Sequence, residues 1–128
     1  MSAMTDYLEL KVLDHVLGTT AYTMPTNTWL SLHTTTPTDS AAGTEVSTGA
    51  YARQNIDFGA ASAGVAANSN ALTFTATGAS WGSVTSWGIW DAVTAGNRLI
   101  WGSFTTARTI NDGESLTVAI GAITVTAD

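Results

Sequence analysis

The chain contains no cysteine. That one absence excludes disulfides, thiolate zinc centres and cysteine nucleophiles together, so the fold must be held by packing. Charge is also scarce: Asp, Glu, Lys and Arg make up 11% of the 128 residues, with ten acids against four Lys or Arg. The net charge of −6 disfavours a phosphate backbone as partner, because such binding needs clustered positive charge. Nucleic acid is not expected. No segment approaches the roughly 20 apolar residues of a membrane-spanning helix. The opening "MSAMTDYLEL" has no cationic stretch leading into an apolar run. Neither a membrane partner nor a signal peptide is therefore expected.

What is present is 45% hydrophobic, with polarity supplied mainly by Thr, Ser, Asn and the backbone. A surface this poor in charge suits a subunit that covers much of itself with neighbours. The length fits one self-sufficient domain over residues 1–128.

"TDYLELKVLDHVLG" predicts a single helix over about residues 5–18, with Thr5 as N-cap, Asp6 in the first turn and Gly18 as the stop. Leu8, Val12, Leu13, Val16 and Leu17 fall on one stripe, which is expected to dock on a sheet or on a neighbouring subunit. From about residue 28 the period changes to two. In "TWLSLHT", Leu30 and Leu32 face one side and Trp29, Ser31 and His33 the other, which predicts a half-buried strand. "TTPTDSAAGTEVSTGA", residues 35–50, predicts a long surface loop. "YARQNIDFG" alternates again, "AASAGVAANSNA" predicts a loop or irregular edge, and "LTFTAT" places Leu72, Phe74 and Ala76 inward with threonines outward.

"SVTSWGIW" and "RLIWGSF" flank "DAVTAGN" as a hairpin whose Gly96 and Asn97 tolerate positive φ. A turn at Asn111, Asp112 and Gly113 precedes strands carrying Leu116, Val118 and Ile120, then Ile123 and Val125. One short N-terminal helix followed by six or seven strands predicts a mainly β fold. An antiparallel β-sandwich, jelly-roll-like, is expected, with a barrel as the alternative.

The hairpin raises the functional question. Trp87 and Ile89 share one face of its first strand, Gly88 and Trp90 the other, so both sides need cover. Gly88 and Gly102, in mid-strand, mark a bulge or a close approach by a ring or backbone. The rings could be packing for the core, anchors for another chain, or a platform on which a sugar stacks. Trp29, Tyr51, Arg53, Trp87, Trp90, Arg98 and Trp101 are the candidate interface residues. Arginine is singled out because its planar fork suits ion pairs across a subunit boundary.

No catalytic pattern accompanies them. His15 and His33 lack a metal-ligand partner at a spacing such as H-E-x-x-H, and His15 is expected at the helix C-terminus, where positive charge is favourable. The carboxylates are scattered, with no visible acid and base pair. The chain has no G-x-S-x-G elbow, phosphate loop, dinucleotide fingerprint or EF-hand, and the "TINDGE" turn alone is a weak calcium signal. No catalytic residue, cofactor or metal is expected, and the protein is expected not to be an enzyme.

The succession "YLELKVLDHVLGTTAYTMP", "TWLSLHTTTPTD", "GTEVSTGAYARQNIDFG", "WGIWDAVTAGNRLIWGSFTTARTINDGESL" and "AIGAITVTAD" resembles a family of small tailed-bacteriophage virion structural proteins. The likeness runs in order along nearly the whole chain, most specifically from "GIWDA" to "NDGESL". It implies a multi-copy component of the virion, made in the bacterial host cytoplasm. The expected partners are the major capsid protein or other virion proteins and copies of the chain itself as a homo-oligomer. Within that frame the first expectation is a capsid decoration or cement protein that stabilises the head by binding the assembled shell. The alternative is a tail-fibre or baseplate-associated module that contacts host surface glycans.

Overall fold

The structure, a computed structural model, describes residues 2–127. Its longest element is strand β7 (Arg98–Ile110), whose 13 residues pair with β6 (Gly82–Trp90) as the antiparallel hairpin predicted from its flanking apolar runs. Strand β2 (Trp29–His33) joins the other edge of β6, and the short β3 (Gln54–Asn55) closes that side. On the far edge of β7 lies β1 (Ser2–Met4), a strand absent from the sequence expectation, which began the strands near residue 28. Ser-Ala-Met has no strand pattern of its own; pairing with β7 along Gly102 to Ile100 supplies it. The five-stranded antiparallel sheet therefore runs β1-β7-β6-β2-β3.

Two antiparallel ladders complete the fold: β5 (Leu72–Thr75) with β8 (Ser115–Val118), and β4 (Val65–Ala67) with β9 (Thr124–Thr126). Leu72 and Phe74 are buried while Thr73 and Thr75 are exposed, as the alternation requires. These residues, with Leu116 and Val118, pack on Leu30, Leu32, Val84, Trp87 and Ile89 from the larger sheet. Each buried side chain of this kind is worth about 1.5–3 kcal/mol. The protein is thus mainly β, antiparallel, with one short N-terminal helix.

That helix, α1, spans Asp6–Val16; Thr5 caps it by accepting a hydrogen bond from the Leu8 amide, and Gly18 follows its end at φ +80°. The Thr5 hydroxyl also donates to the Arg98 carbonyl at 2.7 Å, which pins the helix start to β7. Of the two dockings expected for the apolar stripe, on a sheet or on a neighbouring subunit, the chain's own sheet does not provide the first for the whole stripe. Leu8 is buried, but Leu13, Val16 and Leu17 are 55%, 71% and 75% exposed. The helix meets β1 and β7, and Leu8 is its buried residue. No helix among the described residues is long and apolar enough to cross a membrane.

Two further expectations are corrected. Strand β2 is buried on both faces, with Ser31 and His33 fully inaccessible, because the segment after it folds back over the outer side of the sheet. Ile120 does not follow Leu116 and Val118 inward; β8 ends at Val118 and Ile120 is 67% exposed.

Candidate functional site

The outer face of β2, β6 and β7 carries four of the residues that the sequence marks as candidates, Trp29, Trp90, Arg98 and Trp101. Register places Trp29, Ser31 and His33 beside Trp90, Gly88 and Ser86, and sets Trp101 beside Gly88. Gly88 is what allows this cluster. A β-carbon there would stand 2.8 Å from Ser31 Oγ, 3.2 Å from Trp90 Nε1 and 3.3 Å from Arg98 Cδ. The expected close approach at Gly88 is thus made by two side chains and a ring at once.

The polar atoms of this face form a connected network. Trp90 Nε1 donates to Ser31 Oγ at 2.8 Å, and Ser31 Oγ lies 2.7 Å from His33 Nε2. Ser86 Oγ donates to Thr36 Oγ1 at 3.1 Å, which ties the covering segment down. Arg98 donates through Nη2 to the Thr38 carbonyl, while its Nε and Nη1 and the Nδ1 of His33 have no partner among the described residues. Burial is the main reason the His33 imidazole is pushed down to about 4, with the Arg98 and Arg53 cations adding to it. His33 is therefore neutral at physiological pH. Burial likewise lowers the Arg98 guanidinium, partly offset by the nearby Asp39 carboxylate.

The Ser31 and His33 pair was not singled out from the sequence, although residues two apart on a strand share a face. It has a serine and a base at hydrogen-bonding distance, but both are fully inaccessible and the serine oxygen already accepts the Trp90 N–H. No substrate can reach it. The pair braces the sheet face beneath the loop.

Arg53 has an intramolecular task. Its Nε donates to Glu45 at 2.9 Å, and its Nη1 donates to the carbonyls of Ala92 at 3.0 Å and Ala95 at 2.8 Å. Its guanidinium carbon stands 3.7 Å from the centroid of the Trp90 ring. One arginine thus joins the 35–50 loop, the hairpin tip and a tryptophan face. Within the tip, Asp91 accepts from the Asn97 amide at 2.7 Å and from its side chain at 2.9 Å, closing the turn.

The remaining candidates divide by environment. Trp87 is core, 4% exposed. Tyr51 packs against Phe74 and Trp81 and accepts the Leu32 amide at 3.0 Å, and burial raises its hydroxyl pKa well above the usual value. Trp101 is half-buried and donates to Asp39 Oδ1 at 2.8 Å; Trp29 is half-buried at its register position opposite Trp90 and Asn55. The rings of the hairpin are largely committed within the chain, and at Trp90 a guanidinium occupies one ring face. Sequence reasoning did not single out Trp81, a buried tryptophan that donates to the Thr48 carbonyl at 2.8 Å. Of the histidines, His15 sits in the last turn of α1 and accepts the Tyr22 amide at 3.0 Å.

Two depressions flank the hairpin tip. One, of about 300 Å³, lies between Glu45, Tyr51, Arg53 and Val93. The other, of about 370 Å³, lies between the start of α1, the Asp39–Ala42 segment and Gly96 to Arg98. Among the described residues, no three or more His, Asp or Glu side chains gather as a metal-binding group.

A family model described as Podophage GP4 fiber I protein gp80 matches residues 3–126. No curated protein matches the chain.

Proposed function

The chain belongs to the podophage GP4 fiber I protein gp80 family, and from that premise we propose that it is a structural subunit of the tail fibre of a tailed phage, acting by binding and not by catalysis. The observation that carries this reading is the family match, which takes in all but a few terminal residues and whose description names a fibre protein. It supports the fibre alternative at least as well as capsid decoration. The family makes the protein a component of a phage virion.

The site chemistry supports the same reading. The Ser31–His33 pair is sealed beneath the loop, which supports a role for the molecule through its surfaces. One such surface is the uncovered apolar side of α1, where Leu10, Leu13, Val16 and Leu17 are exposed. It supports attachment to another virion protein or to a further copy of the chain. Repeated weak contacts of this kind reinforce one another when several copies are held together.

Immunogold electron microscopy of intact particles, using antibodies raised against the purified protein, tests the assignment. Gold confined to the tail fibres is expected. Gold distributed over the head would overturn the fibre reading in favour of a capsid decoration role.

A further inference from the structure

We propose that the outward face of α1 is a docking surface for an amphipathic helix of another virion protein, one whose apolar stripe is flanked by lysine or arginine. The proposal names the kind of partner for the exposed side of α1 and rests on the fibre reading only for that partner's place in the virion. Leu10, Leu13 and Leu17 stand three and four residues apart, so at about 100° per residue they share one side of the helix, with the buried Leu8 on the other. Leu10 is 64% exposed, and Leu13, Val16 and Leu17 are also more than half exposed. Together they form an apolar patch of a few hundred Å², the size at which exposed apolar surface marks an interaction site. Both ends of the helix are held within the chain, Thr5 by the Arg98 carbonyl and His15 by the Tyr22 amide. The patch is therefore presented in one orientation, and little ordering is lost on docking.

Charge selects the partner. Asp6, Glu9 and Asp14 are exposed on the same half of the helix, each three or four residues from a leucine of the stripe. Among the described residues, ion pairing is confined to Arg53 and Glu45, so no cation of the chain neutralises these three carboxylates. Asp6 and Glu9 lie in the first turn, where the helix dipole favours them, but Asp14 lies in the last turn, where a carboxylate is unfavourable. Helix stability does not account for Asp14; a cationic partner does.

A second copy is the wrong occupant. Its Arg53 is held by Glu45 and two carbonyls, its Arg98 is buried, and its Lys11 lies over its own Tyr7 ring. That leaves Arg108, on β7, to answer three carboxylates. Facing α1 on α1 would set the same carboxylates against each other across the seam, between chains of net charge −6 each. A helix is the shape that fits. The backbone of α1 is bonded within itself, so an extended segment would gain no ladder from it. A second helix satisfies its own backbone and lays its apolar stripe along the leucines, ridges into grooves.

The test is a titration of the ¹⁵N-labelled full chain with three capped peptides of about 18 residues, long enough to form a helix on the surface. One carries a leucine stripe at three- and four-residue spacing flanked by lysine, one carries the same stripe flanked by glutamate, and one has the composition of the first in scrambled order. Saturable shifts at the amides of Leu10, Leu13 and Leu17 are expected with the lysine peptide, at a Kd of about 100 µM or tighter. The other two peptides should bind about tenfold or more weakly. Raising salt from about 0.05 M to about 0.5 M should weaken the lysine peptide several-fold. Leu13→Gln with Leu17→Gln, both exposed and so tolerated by the fold, should weaken it by about tenfold or more. Glu9→Gln with Asp14→Asn should remove most of the salt dependence. The proposal is overturned if the lysine peptide gives no saturable shifts, if the shifts map away from α1, or if the glutamate or scrambled peptide binds as well. It is also overturned if sedimentation shows an oligomer of the parent that Leu13→Gln with Leu17→Gln dissociates, for then a second copy occupies the face. Fibre-localised gold with no peptide binding overturns this surface and leaves the fibre reading standing. Peptide binding at α1 with head-localised gold does the reverse.

Discussion

Acidification should loosen this fold through one buried imidazole. His33 is fully inaccessible and its pKa is pushed down to about 4, whereas in the unfolded chain it returns to about 6.5. Between those values the unfolded state binds a proton that the folded state does not. Stability from this group is therefore fully present above about pH 6.5 and is lost as pH falls toward 4. Two and a half pH units at about 1.4 kcal/mol each amount to about 3 kcal/mol. Set against a total of about 5–15 kcal/mol, that loss is large. The assay is equilibrium urea unfolding followed by tryptophan fluorescence at a series of pH values from about 7 to about 4. His33→Gln should be less stable than the parent at neutral pH, because the Ser31 contact changes. Its stability should also fall more shallowly with acid, which isolates His33 from the carboxylates common to both proteins. An unchanged pH slope in the variant would refute the reasoning. So would an imidazole of His33 that titrates near its ordinary value in the folded protein, read by NMR.

Three other outcomes follow from the same geometry. Gly88→Ala places a methyl 2.8 Å from Ser31 Oγ and should cost about 1–3 kcal/mol in thermal unfolding; a cycle with Ser31→Ala should be non-additive, because the two sites share one space. Arg53→Met removes the bonds to Glu45, Ala92 and Ala95 while keeping the stem, so amide hydrogen exchange at Asp91 and Asn97 should accelerate while the core strands keep their protection. Tyr51, raised by burial, stays protonated in the folded state where the unfolded state has ionised. Its contribution is present below about pH 10 and is lost as pH rises beyond it. Tyr51→Phe should flatten that alkaline decline, measured by denaturant titration at high pH.

Much of the architecture was legible because its signals are local. A threonine followed by a 3–4 spaced apolar stripe gave α1 within two residues of its bounds. The alternation of "LTFTAT" gave β5 with its inward side chains correct, and "NDG" gave the turn before β8, with Gly113 at φ +86°. Strand β1 was not legible, because its pairing partner lies near residue 100 and its own side chains carry no period. The helix stripe was read as docking on a sheet or on a neighbouring subunit, because amphipathicity shows which face is apolar and not which surface meets it.

The candidate residues show the same division more sharply. Composition and spacing determined that the protein is a cysteine-free, charge-poor antiparallel β domain with aromatics on both sides of one hairpin. Only the tertiary structure decided what those aromatics do. The bond from Trp90 to Ser31 spans 59 residues of sequence, and that from Trp101 to Asp39 spans 62. Alternation assigns a ring to a face of its own strand, but whether that face is core, clamp or open surface depends on which distant segment folds over it.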